Sequence, residues 1–196
     1  MRRFLAFALL GLAPVAPAAE TSLAFQYTIE RADSESDATF LRGFVTKEGL
    51  RLKVKLGQES FCYVLLSGKD GYQLVFPNAD TLRMALPVGE WARIPKSTFL
   101  RMGDDPKSER MYIIVAAQRV SELDEAAQKG AIFLSAAKAQ AIRDRYGKGT
   151  YTRGQDGRAV SVRYRPNPGD SASIVEDVSV QAAVQGLEPP KRPDSK

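Results

Sequence analysis

The sequence predicts a mainly β protein: a β-sandwich-like domain with a short C-terminal helical insertion and additional strands. Three stretches predict it. Leu50, Leu52, Val54 and Leu56 alternate with Arg51, Lys53 and Lys55, the period of a strand with an apolar face inward and a basic face in solvent. Ser60 to Asn78 reads as a hairpin whose first arm sets Phe61, Tyr63 and Leu65 on one face and Cys62, Val64 and Leu66 on the other. A strand apolar on both faces must be covered on both. Arg110 to Ala117 repeats that composition, and its β-branched cluster favours a strand beside the hairpin.

The elements follow in order. Met1-Arg2-Arg3, the apolar run Phe4 to Ala13 and the small residues Pro14 to Ala19 have the anatomy of a secretory signal peptide. Ala16-Pro17-Ala18 predicts cleavage after Ala18 or Ala19, and the apolar run is too short to cross a membrane. One β-rich domain, residues 20–185, is expected after this leader. Ser22 to Glu30 alternates as a half-buried strand, Arg31 to Ala38 forms an acidic loop, and Thr39 to Lys47 is extended. The hairpin turns at Ser67 to Gly71. Its second arm sets Tyr72, Leu74 and Phe76 on one face, and Pro77 stops the ladder.

A short strand is expected at Trp91 to Ile94, and a polar connection at Met102 to Lys107. Ser121-Glu122-Leu123-Asp124 resembles a capping box opening a helix that Gly130 closes. A second helix runs from Ser135 to Tyr146, with Ala139, Ile142 and Tyr146 on one face and Gly147 as its stop. Terminal strands occupy 150–185, the clearest at Val160 to Tyr164 and Ile174 to Val184. From Gly186 the chain is a proline-rich, charged, disordered tail.

Composition narrows the chemistry. The 196 residues allow one domain with a sizeable core. Cys62 is the single cysteine, so no intramolecular disulfide forms, and a thiol inside a buried strand is an inert core residue. With no histidine there is no Ser-His-Asp or Cys-His pair and no imidazole base or zinc ligand. Loss of Arg2 and Arg3 with the leader lowers the net charge from +5 to +3, too mild for a dedicated nucleic-acid binder.

Several pieces occur in a familiar order: Leu41-Arg42, Leu50 to Val54, Tyr63 to Leu66, a glycine turn, Leu74-Val75-Phe76-Pro77-Asn78, Leu86-Pro87, Ile94-Pro95 and Glu109 to Ala116. Over Thr39 to Val120 the chain resembles the bacterial domain of unknown function 4384. It departs in carrying Arg83, in a longer proline-broken segment and in its C-terminal extension. The resemblance implies a small β-sandwich-like module without assigned catalytic residues, one often appended to signalling kinases, caspase-like peptidases or envelope proteins. No kinase or peptidase accompanies it here.

Candidate sites are few. Asp33-Ser34-Glu35-Ser36-Asp37 imitates the first ligands of a calcium loop, but Ala38 replaces the turn glycine and Phe44 the bidentate Glu. Asp104, Asp105 and Glu109 offer carboxylates in a segment that reads as a surface turn. Lys138 to Arg165 holds eight basic residues against Asp144 and Asp156, with Tyr146, Tyr151 and Tyr164 between them. Arginine forks suit phosphates and carboxylates, so Arg143, Arg145, Lys148, Arg153, Arg163 and Arg165 are the candidate binding residues. A solvated outer face is the competing reading of the same charges.

The sequence therefore predicts a periplasmic or secreted, non-enzymatic interaction module of the cell envelope. Its expected partner is an envelope protein or an anionic envelope polymer, with no nucleic acid, no cofactor, no metal and no transmembrane helix in the mature chain. The alternative is a carboxylate- or metal-dependent enzyme acting on an envelope polymer.

Overall fold

The computed structural model describes residues 22–32, 49–68, 70–82, 85–101, 109–130, 133–156, 159–165 and 172–179. The leader, the loop at 33–37, the extended stretch expected at 39–47, Asp104 and Asp105, and the tail lie outside the described residues.

Two antiparallel sheets form a sandwich. Sheet A contains β1 (Leu23–Arg31), β2 (Gly49–Leu56), β5 (Trp91–Ile94), β6 (Leu100–Arg101), β9 (Thr150–Asp156) and β10 (Ala159–Arg165), ordered β5-β2-β1-β10-β9 with β6 also on β2. Sheet B contains β3 (Phe61–Gly68), β4 (Gly71–Phe76), β7 (Arg110–Ala116), β8 (Phe133–Leu134) and β11 (Ser173–Ser179), ordered β11-β7-β3-β4-β8. Helices α1 (Ser121–Gln128) and α2 (Ala136–Tyr146) lie on the outer side of sheet B.

The predicted periodicities explain this layering. In β1 and β2 every second side chain is buried, so these strands have one wet face. Their buried residues meet Cys62, Val64, Leu66, Met111, Ile113 and Val115 of sheet B in the inter-sheet core. The other faces of β3 and β7, with Tyr63, Leu65, Tyr112 and Ile114, pack under Leu123, Ala126, Ala127, Ala139 and Ile142 of the helices. Both faces of these central strands are therefore covered, as their composition demands. Each buried Leu, Ile or Val contributes roughly 1.5–3 kcal/mol by leaving water.

Three local expectations are corrected. The hairpin turn is tighter than five residues, because Ser67 pairs with Tyr72 and Gly68 with Gly71. A register shift at Val64/Leu65 pairs Val64 with Phe76 and Leu65 with Leu74. This bulge sends Phe76 to the inter-sheet core while Tyr72 and Leu74 stay under the helices, so the three do not share a face. The capping box does not form: Val120, fully buried, is the N-cap of α1 and no side chain caps it. Asp124 instead receives hydrogen bonds from Tyr63 (3.0 Å) and Arg119 (3.0 Å). The last strand, β11, is described over Ser173–Ser179, and residues 180–184 of the expected stretch lie outside the described residues.

One polar group bridges the layers. Glu176 of β11, 3% exposed, receives Arg153 of β9 on Oε2 from both Nε at 3.0 Å and Nη2 at 2.9 Å. Tyr27 of β1 donates to the same carboxylate at 3.2 Å. Charge-assisted, two-pronged bonding of this kind offsets the cost of burying a carboxylate.

Candidate functional site

The six basic residues singled out in the sequence do not converge. Strand parity and the α2–β9 connection divide them among separate surfaces. Arg143 and Arg145 lie on α2, on the helical side of sheet B. Arg143 reaches Asp177 at 3.3 Å and lies over the Tyr112 ring, and Arg145 pairs with Glu122. Lys148 is exposed in the connection to β9, where its carbonyl accepts from the Tyr164 hydroxyl at 3.1 Å. Arg153 turns inward to Glu176. Only Arg163 and Arg165 share a face, the outer side of sheet A.

That outer side carries the main concentration of described positive charge on a sheet. Outward positions of β2 supply Arg51, Lys53 and Lys55, the edge strand β5 supplies Arg93, and β10 supplies Arg163 and Arg165. Register brings them together: Lys55 lies opposite Gln26 and Trp91, and Lys53 opposite Thr28 and Arg93. Arg163 lies between Ala24 and Thr152. Among the described side chains of these strands, the one acid on this face is Glu30, held by Lys53 at 3.2 Å and Arg93 at 3.5 Å. Lys55, Arg163 and Arg165 have no ion-pair or hydrogen-bond partner among the described residues.

Two aromatic rings border the face. The Arg51 guanidinium lies 4.1 Å from the centroid of Phe99 and donates to the Thr98 carbonyl at 3.1 Å. The Lys53 ammonium lies 5.5 Å from that of Trp91, which is 39% exposed. Such contacts fix long cationic side chains in place while leaving their charge accessible. Between Lys55 and Arg163 the face sinks into a hollow of about 200 Å³, floored by Ala24, Gln26, Gly57 and Ser161.

Elsewhere the titratable groups serve the fold. Burial pushes the Glu176 carboxyl above its ordinary value despite the opposing pull of Arg153. Burial next to Glu176 raises the Tyr27 hydroxyl, and burial raises Tyr63, whose oxygen also receives the Val120 amide at 3.0 Å. Cys62 is buried and its thiol is pushed up to about 12. A larger groove of about 490 Å³ runs past Phe76, Leu86, Trp91 and Pro95, with Arg93 and Lys96 on its rim. Among the described residues, no group of three or more Cys, Asp or Glu side chains gathers as a metal site, and no helix is long and apolar enough to cross a membrane.

No protein-family model, curated protein or solved structure matches this chain.

The sequence reading missed Arg51, Lys53, Lys55 and Arg93 as partners of Arg163 and Arg165. The signal was present in the strict alternation of β2, which exposes one cation at every second position. What was missing was the strand order: β1, between β2 and β10, joins residues more than a hundred positions apart.

Proposed function

We propose that this chain is an exported, non-enzymatic module of the bacterial envelope that holds an anionic envelope polymer on the outer face of sheet A. One observation carries the reading: Arg51, Lys53, Lys55, Arg93, Arg163 and Arg165 share a sheet face on which Glu30 is the one acid among the described side chains of β1, β2, β5 and β10. A flat face with cations at regular strand spacing suits an extended polyanion better than a small substrate. The leader-like sequence at residues 1–19 supports export, and the resemblance to the domain of unknown function 4384 supports a module without catalytic residues. No specific observation favours the enzymatic alternative, since Asp104 and Asp105 lie outside the described residues.

Trp91, the single tryptophan, stands beside Lys53 and provides the readout. Titration with polyphosphate or polygalacturonate is expected to change its fluorescence, with an affinity that falls steeply as salt rises. Combined Arg93→Gln and Arg165→Gln should weaken binding several-fold, whereas Lys138→Glu on the helical side should not. Failure of both polymers to bind, or equal effects of the two sets of variants, would reject the reading.

A further inference from the structure

The hollow on this face is lined by two cationic residues, Lys55 and Arg163, and by Ser161. Lys55 and Arg163 stand at opposite corners of a small grid of outward positions. One row is Lys55, Gln26 and Ser161; the next is Gly57, Ala24 and Arg163. The two cations are thus two strands and two residues apart, about 12 Å between Cα atoms from ordinary sheet spacings. Everything between them is small or neutral. A side chain at position 57 would press on the Ala24 carbonyl, so the glycine keeps that corner low. The adjoining rim is held by the Gly89 amide, which donates to the Leu56 carbonyl at 2.8 Å.

The floor contributes a third donor. Gln26 Nε2 donates to Ser161 Oγ at 3.1 Å, which occupies an acceptor site of that hydroxyl and leaves its proton for a ligand. Lys55, Arg163 and Ser161, an ammonium, a guanidinium fork and a hydroxyl, all belong to residues lining this one hollow. A planar carboxylate offers two oxygens in one plane. A tetrahedral phosphoryl group offers oxygens in three directions and matches the set more fully.

We propose that the hollow between Lys55 and Arg163 seats a phosphoryl group, so that the polymer held by sheet A is phosphate-bearing and not purely carboxylate-bearing. The proposal rests on the polymer-binding reading and narrows its ligand class. Lys55 and Arg163 supply charge, Ser161 orients the group, and the remaining cations hold the flanking chain.

The test compares polyphosphate with polygalacturonate of matched charge at one ionic strength, read by Trp91 fluorescence. The native chain should bind polyphosphate about tenfold more tightly, the scale of one good hydrogen bond to a charged group. Lys55→Gln with Arg163→Gln should abolish the preference and leave weaker, nearly equal binding of both polymers. Ser161→Ala should remove part of it. These positions are at the surface, and an unchanged urea midpoint establishes that each variant is folded. Equal native binding of the two polymers, or a preference that survives Lys55→Gln with Arg163→Gln, overturns the phosphoryl seat while leaving polymer binding intact. Absence of binding to either polymer overturns the broader reading instead.

Discussion

Arg153 and Glu176 join the two sheets through a carboxylate buried to 3% of its surface and gripped by both Nε and Nη2 of one guanidinium. Arg153 is half exposed, so the pair straddles the mouth of the sandwich between β9 and β11. Removing the guanidinium leaves the carboxylate with Tyr27 alone among the partners described above. Arg153→Ala is expected to cost roughly 2–3 kcal/mol, at the lower end for a broken buried pair because one member is wet. Arg153→Met with Glu176→Gln should cost less than the two single changes added together. Urea denaturation of the four proteins measures the coupling; additive losses would show that the pair contributes nothing of its own.

Two glutamates carry opposite pH signatures. Burial raises Glu176, so its contribution is fully present below the ordinary carboxylate value of 4.5 and is lost as pH rises through the raised native value. Burial alone would also raise Glu122. Hydrogen bonds from its own backbone amide, Tyr146 and Ser121, with Arg145 alongside, outweigh that and hold it low. Its contribution is present above 4.5 and is lost as pH falls through the lowered native value. The stability difference between the native chain and Glu176→Gln should therefore shrink on going from pH 4 toward neutrality, while that for Glu122→Gln should shrink on acidification. Urea midpoints across the range check both signs.

Cys62 provides a probe of opening. A buried thiol pushed up to about 12 has almost no thiolate at neutral pH. Labelling with a thiol-specific disulfide reagent should proceed no faster than the β3 region opens, and should become immediate in concentrated urea. Rapid labelling in native buffer would contradict the covered inner face of β3.

Gly71 makes the tight turn of the hairpin possible. Its φ is +149°, and a Cβ there would collide with the Leu134 carbonyl of β8, a backbone atom that cannot swing away. Gly71→Ala is expected to cost on the order of 3 kcal/mol through backbone strain and disruption of the β4–β8 pairing. Thermal unfolding with far-ultraviolet dichroism measures it, and a loss below about 0.5 kcal/mol, the scale of ordinary surface changes, would refute the stated geometry.

Much of the fold was legible because burial dictates period. Leu50, Leu52, Val54 and Leu56 announce a one-sided strand, and Tyr112 to Val115 a two-sided one, without help from neighbours. What could not be read depended on partners. Tyr72, Leu74 and Phe76 alternate perfectly in sequence, but the register shift against β3 turns Phe76 over. Ser121 and Asp124 have the spacing of a cap, yet burial of Val120 moves the helix start back and Tyr63 takes the carboxylate. β9, with Thr150, Arg153, Gln155 and Asp156, has no apolar alternation to betray it, and its pairing with β10 makes it a strand. The basic stretch from Lys138 to Arg165 is continuous only along the chain; a helix, a connection and two strands of opposite facing divide it.

The two layers have unequal coverings: α1 and α2 roof sheet B, whereas the outer side of sheet A carries hydrophilic side chains directly. The molecule consequently has a fixed top and bottom. Among the described residues the helices lie on one side alone, so a body that rests against the outer side of sheet A leaves both of them facing away from the contact. The direction from roof to base is set by folding alone.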